Sequence, residues 1–217
     1  MTDFTLVVAN KNYSSWSLRA WLMLKQAGAE FEHVVVPLRQ TATKAEILRH
    51  SPSGKLPALR HGDLVIWESL AIGEYLHDIF PKAKLWPKNI GACAVARSVS
   101  AEMHSGFQAF RGHFPMNMRS SFPNRGVTPE VQSDINRITA LWHDCRKRFG
   151  KGGDFLFGGP TIADAMYAPV VSRFLTYKVE LDEEAHAYCD AISAVPAFQE
   201  WYAAARNEPM IIEEFEF

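Results

Sequence analysis

Apolar and polar positions change their rhythm several times along the first eighty residues. Phe4 to Ala9 (FTLVVA) is a short, nearly continuous apolar run that predicts a buried strand. From Ser14 to Gly28 the apolar residues take helical spacing, with Trp16, Ala20, Leu24 and Ala27 on one face and a glycine at the stop. Phe31 to Val36 is β-branched and strand-like, and Thr43 to His50 reads as a short helix. LPALRHGDLVIW reads as two strands around the turn His61-Gly62-Asp63. Ser69 to Phe80 is helical up to Pro81, so the predicted order is βαβαββα.

Beyond the connection Pro81 to Lys88 the rhythm stays helical. Val95 to Phe114, Pro129 to Phe149, Thr161 to Tyr177, Glu183 to Ser193 and Pro196 to Asn207 are predicted helices, with no further strand. A mixed α/β unit over residues 1–80, a linker over 81–88 and an all-α unit over 89–217 follow from this. No internal repeat or low-complexity tract interrupts them.

Composition narrows the function class. A chain of 217 residues, 47% hydrophobic, buries a sizeable core. Lys plus Arg number 23 against 24 Asp plus Glu, a net charge of -1, which argues against a nucleic-acid surface and against a polybasic membrane contact. Small molecules or proteins are the expected partners. MTDFTLVVAN lacks a basic, apolar leader pattern, so the expected location is cytoplasmic. Cys93, Cys145 and Cys189 are too far apart for a CxxC redox or zinc motif; they fit buried, reduced thiols, and no metal site is expected.

The chemistry concentrates in a few stretches. KNYSSWSLRAWLML places Ser14 and Ser15 between the first strand and the first helix. One serine suffices as an N-cap; the other then stands where backbone N–H groups and the positive end of the helix dipole converge, a place to hold an anion. SPSGKLPAL carries Lys55, Leu56 and Pro57 ahead of a strand, and WESLAI sets Glu68 and Ser69 just before a helix. GGPTIADAMYAP opens a helix with the capping box Thr161 and Asp164, a structural feature rather than a binding one. In AEMHSGFQAFRGHFPMNMR a single helix aligns Met103, Phe107, Phe110 and Phe114 as an apolar stripe beside a polar stripe of His104, Gln108 and Arg111.

The order of elements and these stretches resemble the cytosolic glutathione transferase superfamily over essentially the whole chain. The nearest local likeness is to the zeta, maleylacetoacetate isomerase-like class, where Ser-Ser-Cys-Ser-x-Arg stands in the place of Ser14 to Arg19; Trp16 departs from that pattern. The resemblance implies a thioredoxin-like N-terminal domain, an all-α C-terminal domain, a homodimer and glutathione as co-substrate. It implies that Pro57 is cis, that Leu56 meets the cysteinyl part of glutathione, that Lys55 and Pro57 also belong to the glutathione site, and that Glu68 and Ser69 hold its γ-glutamyl end. It also makes Gln108 a glutathione contact, and sets Trp16, His104 and Arg111 around the electrophile.

A thiol is a poor nucleophile, and at an ordinary pKa of about 8.5 only a few per cent is ionised at neutral pH. A hydroxyl donating to the sulfur stabilises the thiolate. By resemblance Ser14 is that donor, with Ser15 and then Tyr13 as alternatives. Transfer to a small electrophile is the leading expectation. A glutathione-dependent cis-trans isomerase, with Arg173 as a carboxylate partner, and a noncatalytic binding protein stand beside it. The segment EPMIIEEFEF has no role that its sequence suggests.

Overall fold

The structure is a computed structural model that describes residues 3–216; residues 1, 2 and 217, the outermost positions of the two expected domains, lie outside the described residues. Strands β1 (Phe4–Ala9), β2 (Phe31–Val36), β3 (Ala58–His61) and β4 (Leu64–Trp67) form one sheet in the order β2-β1-β3-β4. β2 runs parallel to β1 with Phe4 opposite Phe31, while β3 is antiparallel to both β1 and β4. Helices α1 (Ser15–Ala27), α2 (Thr43–His50) and α3 (Ser69–Ile79) complete the βαβαββα unit.

Strand alternation divides the core between the two faces of the sheet. Val7 joins Val36 and Ile47 in a small cluster under α2. Leu6, Val8 and Leu59 turn the other way, into a large cluster shared with α1, α3 and the second domain. Gly28 ends α1 in the left-handed conformation (φ 71°) and its N–H reaches the carbonyls of Leu24 and Lys25. At Gly73 a Cβ would meet Met23 Sδ at 2.8 Å and Ile162 Cδ1 at 3.2 Å, so glycine lets α3 lie close against the core.

The second domain contains α4 (Ile90–Ser105), α5 (Gln108–His113), α6 (Pro129–Phe149), α7 (Ile162–Tyr177), α8 (Glu183–Ser193) and α9 (Pro196–Arg206). α7 is apolar almost all round and buried along nearly its whole length, making it the axis of the molecule. Its start is fixed by Thr161 and Asp164 as expected: Asp164 Oδ2 accepts from the Thr161 N–H at 2.7 Å, and Oδ1 accepts from Leu156 N and Tyr188 Oη, both at 3.1 Å.

One predicted helix is two. Val95 to Phe114 does not continue as a single element: α4 stops at Ser105, Gly106 is extended, and Phe107 takes φ 59° before α5 begins. Met103, Phe107, Phe110 and Phe114 are all buried nonetheless, so the apolar stripe survives the break. The polar stripe does not.

Candidate functional site

The β1 to α1 connection presents its serines differently from each other. Ser14 is the N-cap: its Oγ accepts from the Ser17 N–H at 3.3 Å and donates to Ser17 Oγ at 2.8 Å, while Ser17 Oγ also accepts from Ala9 N. Ser15 is the first helical residue and is 6% exposed, with no hydrogen-bond partner for its hydroxyl among the described residues. The capping of α1, expected of Ser15, therefore falls to Ser14.

Tyr13, the third alternative, is committed elsewhere. Its hydroxyl donates to Glu216 at 2.5 Å and accepts from Arg119 Nη2 at 2.7 Å and Ile212 N at 3.2 Å. Burial, and then this carboxylate, push its pKa above the usual tyrosine range. The segment after α9 thus has a part that its sequence did not suggest. Glu208 accepts from the backbone N–H groups of Lys11 at 2.8 Å and Asn12 at 3.1 Å, while Phe215 packs on the Tyr13 ring.

Trp16, Lys55, Leu56, Pro57, Glu68 and His104 line one cavity of about 290 Å³, at the small end of the roughly 300–1,000 Å³ usual for ligand sites. The Leu56-Pro57 bond is cis. Neither backbone polar group of Leu56 has a hydrogen-bond partner among the described residues, so an N–H and a C=O are open to an extended peptide. Glu68 stands at φ 68° in the N-cap position of α3, yet no side chain caps the helix, leaving its first amides for a ligand. Ser69 begins α3; its hydroxyl is buried without a partner.

His104 closes the cavity from the second domain. Its Nε2 lies 3.6 Å from Glu68 Oε2, its Nδ1 is buried and unpartnered, and its ring meets Trp16 edge-on at 5.2 Å. Burial, then Arg19, and more weakly Arg111, hold its pKa below the usual histidine range against the opposing pull of Glu68.

Ser14, Ser15 and Ser69 are not among the residues lining this cavity, and neither are Gln108 and Arg111. Gln108 is exposed on the far side of the α4 to α5 break, donating to Ser105 O at 2.9 Å and bordering a separate hollow with Glu130 and Asp134. Arg111 donates to the carbonyls of Met103, His104 and Gly106, capping the end of α4, with its Cζ 4.9 Å from the centroid of the Trp16 ring. Arg173 is similarly spent on Phe114 O at 2.6 Å and Pro169 O at 3.0 Å. The guanidinium without such a role is Arg19, whose Nε, Nη1 and Nη2 are all buried and unpartnered. It is the arginine that closes the Ser14 to Arg19 stretch, a lone cation between Leu18 and Ala20.

A larger cavity, about 730 Å³, lies between α1, α7 and the α8 to α9 turn. Of the residues expected in a site it contains Asp164 alone, which is occupied in capping α7.

Residues 13–79 match the family model for the glutathione S-transferase N-terminal domain, and residues 129–204 match that for its C-terminal domain. A probable maleylacetoacetate isomerase of Caenorhabditis elegans is 25% identical over 190 residues, covering 85% of this chain and 86% of the relative. A glutathione S-transferase of Triticum aestivum is 26% identical over 201 residues, 90% and 91% of the two chains. Among solved structures, a glutathione transferase homolog from Burkholderia gl BGR1 with bound glutathione aligns with a TM-score of 0.70 at 22% identity, over 94% of this chain and 98% of that one. An Omega 2S glutathione transferase of Trametes versicolor aligns with a TM-score of 0.71 at 21% identity, over 93% and 94%.

Proposed function

Since the chain belongs to the glutathione S-transferase family, with both domain models matched, we propose that it binds glutathione in the cavity behind Trp16 and transfers it, as the thiolate, to a small electrophile. The observation that carries this reading is the convergence on one cavity of Lys55, Leu56, Pro57, Glu68 and His104 from both domains. Each supplies what one part of an extended tripeptide needs. The open N–H and C=O of Leu56 pair with the cysteinyl backbone. The uncapped start of α3, with the Ser69 hydroxyl, receives the γ-glutamyl carboxylate, and Glu68 receives its ammonium.

Ser15 is the thiolate donor, because its hydroxyl is unpartnered while that of Ser14 is engaged by Ser17. The sulfur lone pair forms a C–S bond at the electrophile, and the displaced electron pair leaves with the leaving group or is protonated by water. Trp16 and His104 form the acceptor side of the cavity. For the isomerase alternative, the candidate carboxylate partner Arg173 is engaged by the carbonyls of Phe114 and Pro169.

Glutathione titrated into the protein tests the binding reading directly. At a hundredfold excess over Kd the ligand adds about 2.7 kcal/mol, so Tm rises by about 5 to 11 °C at the usual 2–4 °C per kcal/mol for a chain of this size. No shift and no binding heat at 10 mM, roughly a physiological-scale excess over a typical micromolar-to-millimolar KM, rejects it. A homodimer is proposed with it, supported by the exposed Leu64 and Trp67 on edge strand β4 and the 88% exposed Ile90 at the start of α4; light scattering at the 24.4 kDa monomer mass counts against it. A cytoplasmic location is supported by three unpaired cysteines.

A further inference from the structure

Of the six described residues that line the cavity, five belong to the first domain and His104 alone to the second. Its Nε2 stands 3.6 Å from Glu68 Oε2, so the two domains meet over the carboxylate assigned to the glutathione ammonium. That separation is longer than a hydrogen bond and well within the reach of a charge. Glu68 itself holds φ 68°, a strained backbone for a residue other than glycine, and strain of this kind persists where neighbours hold it.

The other ring nitrogen decides where the hydrogen sits. Nδ1 is buried without a partner. A hydrogen there would be a buried N–H with no acceptor, so the hydrogen of the neutral ring is assigned to Nε2, the side of Glu68. A charged ring would have to carry the second N–H as well, in the same unpartnered place. The charges facing His104 are Arg19 from α1, Glu68 at the start of α3 and Arg111 from α5. On the other contacts of α4, Arg137 of α6 is paired with Glu102, Glu74 of α3 with Arg97, and Tyr167 of α7 donates to Val99 O. Burial first, and then Arg19 and Arg111, keep the His104 ring below the usual histidine range against the pull of Glu68.

We propose that His104 is a positioning residue of the glutathione site, steering the Glu68 carboxylate from across the domain boundary while leaving its charge to the γ-glutamyl ammonium. This rests on glutathione binding in that cavity. An uncharged ring at this distance orients a carboxylate by its dipole and leaves the oxygen lone pairs to a cation. An imidazolium in the same place pairs with Glu68 outright and repels the ammonium, so glutathione selects the form with the neutral ring. Affinity then follows the fraction of neutral ring, and it falls as pH drops through the His104 midpoint.

The test uses S-methylglutathione, whose capped sulfur removes thiol ionisation from the reading. It is titrated by calorimetry into the wild type, His104→Gln and His104→Lys between about pH 7.5 and 5, the range in which histidine changes charge. A second probe, S-methylated glutaryl-cysteinyl-glycine, lacks only the ammonium. The wild type should bind S-methylglutathione about threefold or more weakly at the lower pH, since the apparent Kd rises as the competent fraction falls, and should bind the ammonium-free probe no more weakly there. His104→Gln keeps an N–H donor and gains no charge, so its profile should be flat, with affinity near the wild-type value at the higher pH. His104→Lys is charged throughout and should bind at the higher pH as weakly as the wild type does at the lower. By reciprocity, saturation with S-methylglutathione should move the wild-type His104 ring titration, followed by NMR, to lower pH; an unmoved midpoint overturns the proposal even if neither variant folds. A flat wild-type profile overturns it too, as does an acid loss that the ammonium-free probe shares or that persists in His104→Gln. Failure of the wild type to bind S-methylglutathione and glutathione at either pH refutes the functional reading, and the proposal falls with it.

Discussion

Replacing Ser15 and Ser14 one at a time should give opposite phenotypes from neighbouring hydroxyls. The Ser15 hydroxyl has no partner among the described residues, so Ser15→Ala removes no bond from the folded protein and leaves Tm within about 1 °C, as expected for a near-neutral change. What it removes is a hydrogen bond to a charged sulfur, worth about 1.5–3 kcal/mol. At about 1.4 kcal/mol per decade this is roughly a ten- to hundredfold loss in kcat at saturating glutathione, with the thiolate midpoint raised by about 1 to 2 units. Ser14→Ala deletes the α1 cap and the bond to Ser17 Oγ. A lost cap costs about 1 kcal/mol, or about 2 to 4 °C in a chain of this length, with less than about a threefold change in kcat. Steady-state kinetics, a pH titration of bound thiol absorbance and scanning calorimetry read the three quantities. A normal Tm with a collapsed rate in Ser14→Ala, beside an active Ser15→Ala, would falsify the assignment.

Glu68→Ala and Ser69→Ala should raise the KM for glutathione about tenfold while leaving kcat near wild type, because in the proposed site those groups hold the γ-glutamyl end in ground and transition states alike; equal losses in kcat at saturation would show the roles to be misassigned. Tyr13→Phe should lower Tm by several degrees, since it strips a partner from Glu216, Arg119 and Ile212, and should leave the thiolate midpoint where it was; a moved midpoint would return Tyr13 to the site. Burial pushes the Cys145 and Cys189 thiols up to about 12 from 9.0, so a thiol reagent should label the half-buried Cys93 at once and the other two only on unfolding. These two thiols are protonated in the fold while the unfolded chain ionises, so their stabilising contribution is complete below pH 9 and is lost as pH rises toward 12. Immediate labelling of all three refutes the burial.

Most element boundaries were legible because each element carries its own period. β1, β2, α2, α6 and α8 begin and end where their local patterns do. The break between α4 and α5 was hidden, since Phe107 enters the left-handed region and still keeps its ring in the core with Met103, Phe110 and Phe114. An apolar stripe reports which side faces inward, and it is silent on whether the backbone between two of its members is helical. The polar residues lost their register there, so His104 reached the cavity while Gln108 and Arg111 did not. The cavity itself was readable where one short stretch supplied both position and chemistry, as at Lys55 to Pro57 and at Glu68. That Ser14 rather than Ser15 caps α1 turned on its bonds to Ser17, which no spacing encodes. Glu208 and Glu216, which accept from Lys11, Asn12 and Tyr13, lie 196 to 203 residues away, and neither charge pattern nor period connects them.

That separation has a bearing on the birth of the protein. The amides of Lys11 and Asn12 are closed by Glu208, and the Tyr13 hydroxyl by Glu216, across 197, 196 and 203 positions. At about 5–20 residues per second on the ribosome, the loop that sets up Ser14 and Ser15 waits about ten to forty seconds for the carboxylates that fasten it. The sheet, α1 and the turn in which Asn10 O accepts from the Tyr13 and Ser14 N–H groups have local partners in that interval, whereas the Lys11 and Asn12 N–H groups and the Tyr13 hydroxyl do not yet have their carboxylate acceptors. A nascent chain therefore acquires its first domain well before the carboxylates that fasten the loop ahead of α1, and one whose synthesis aborts short of Glu208 lacks those fastenings altogether.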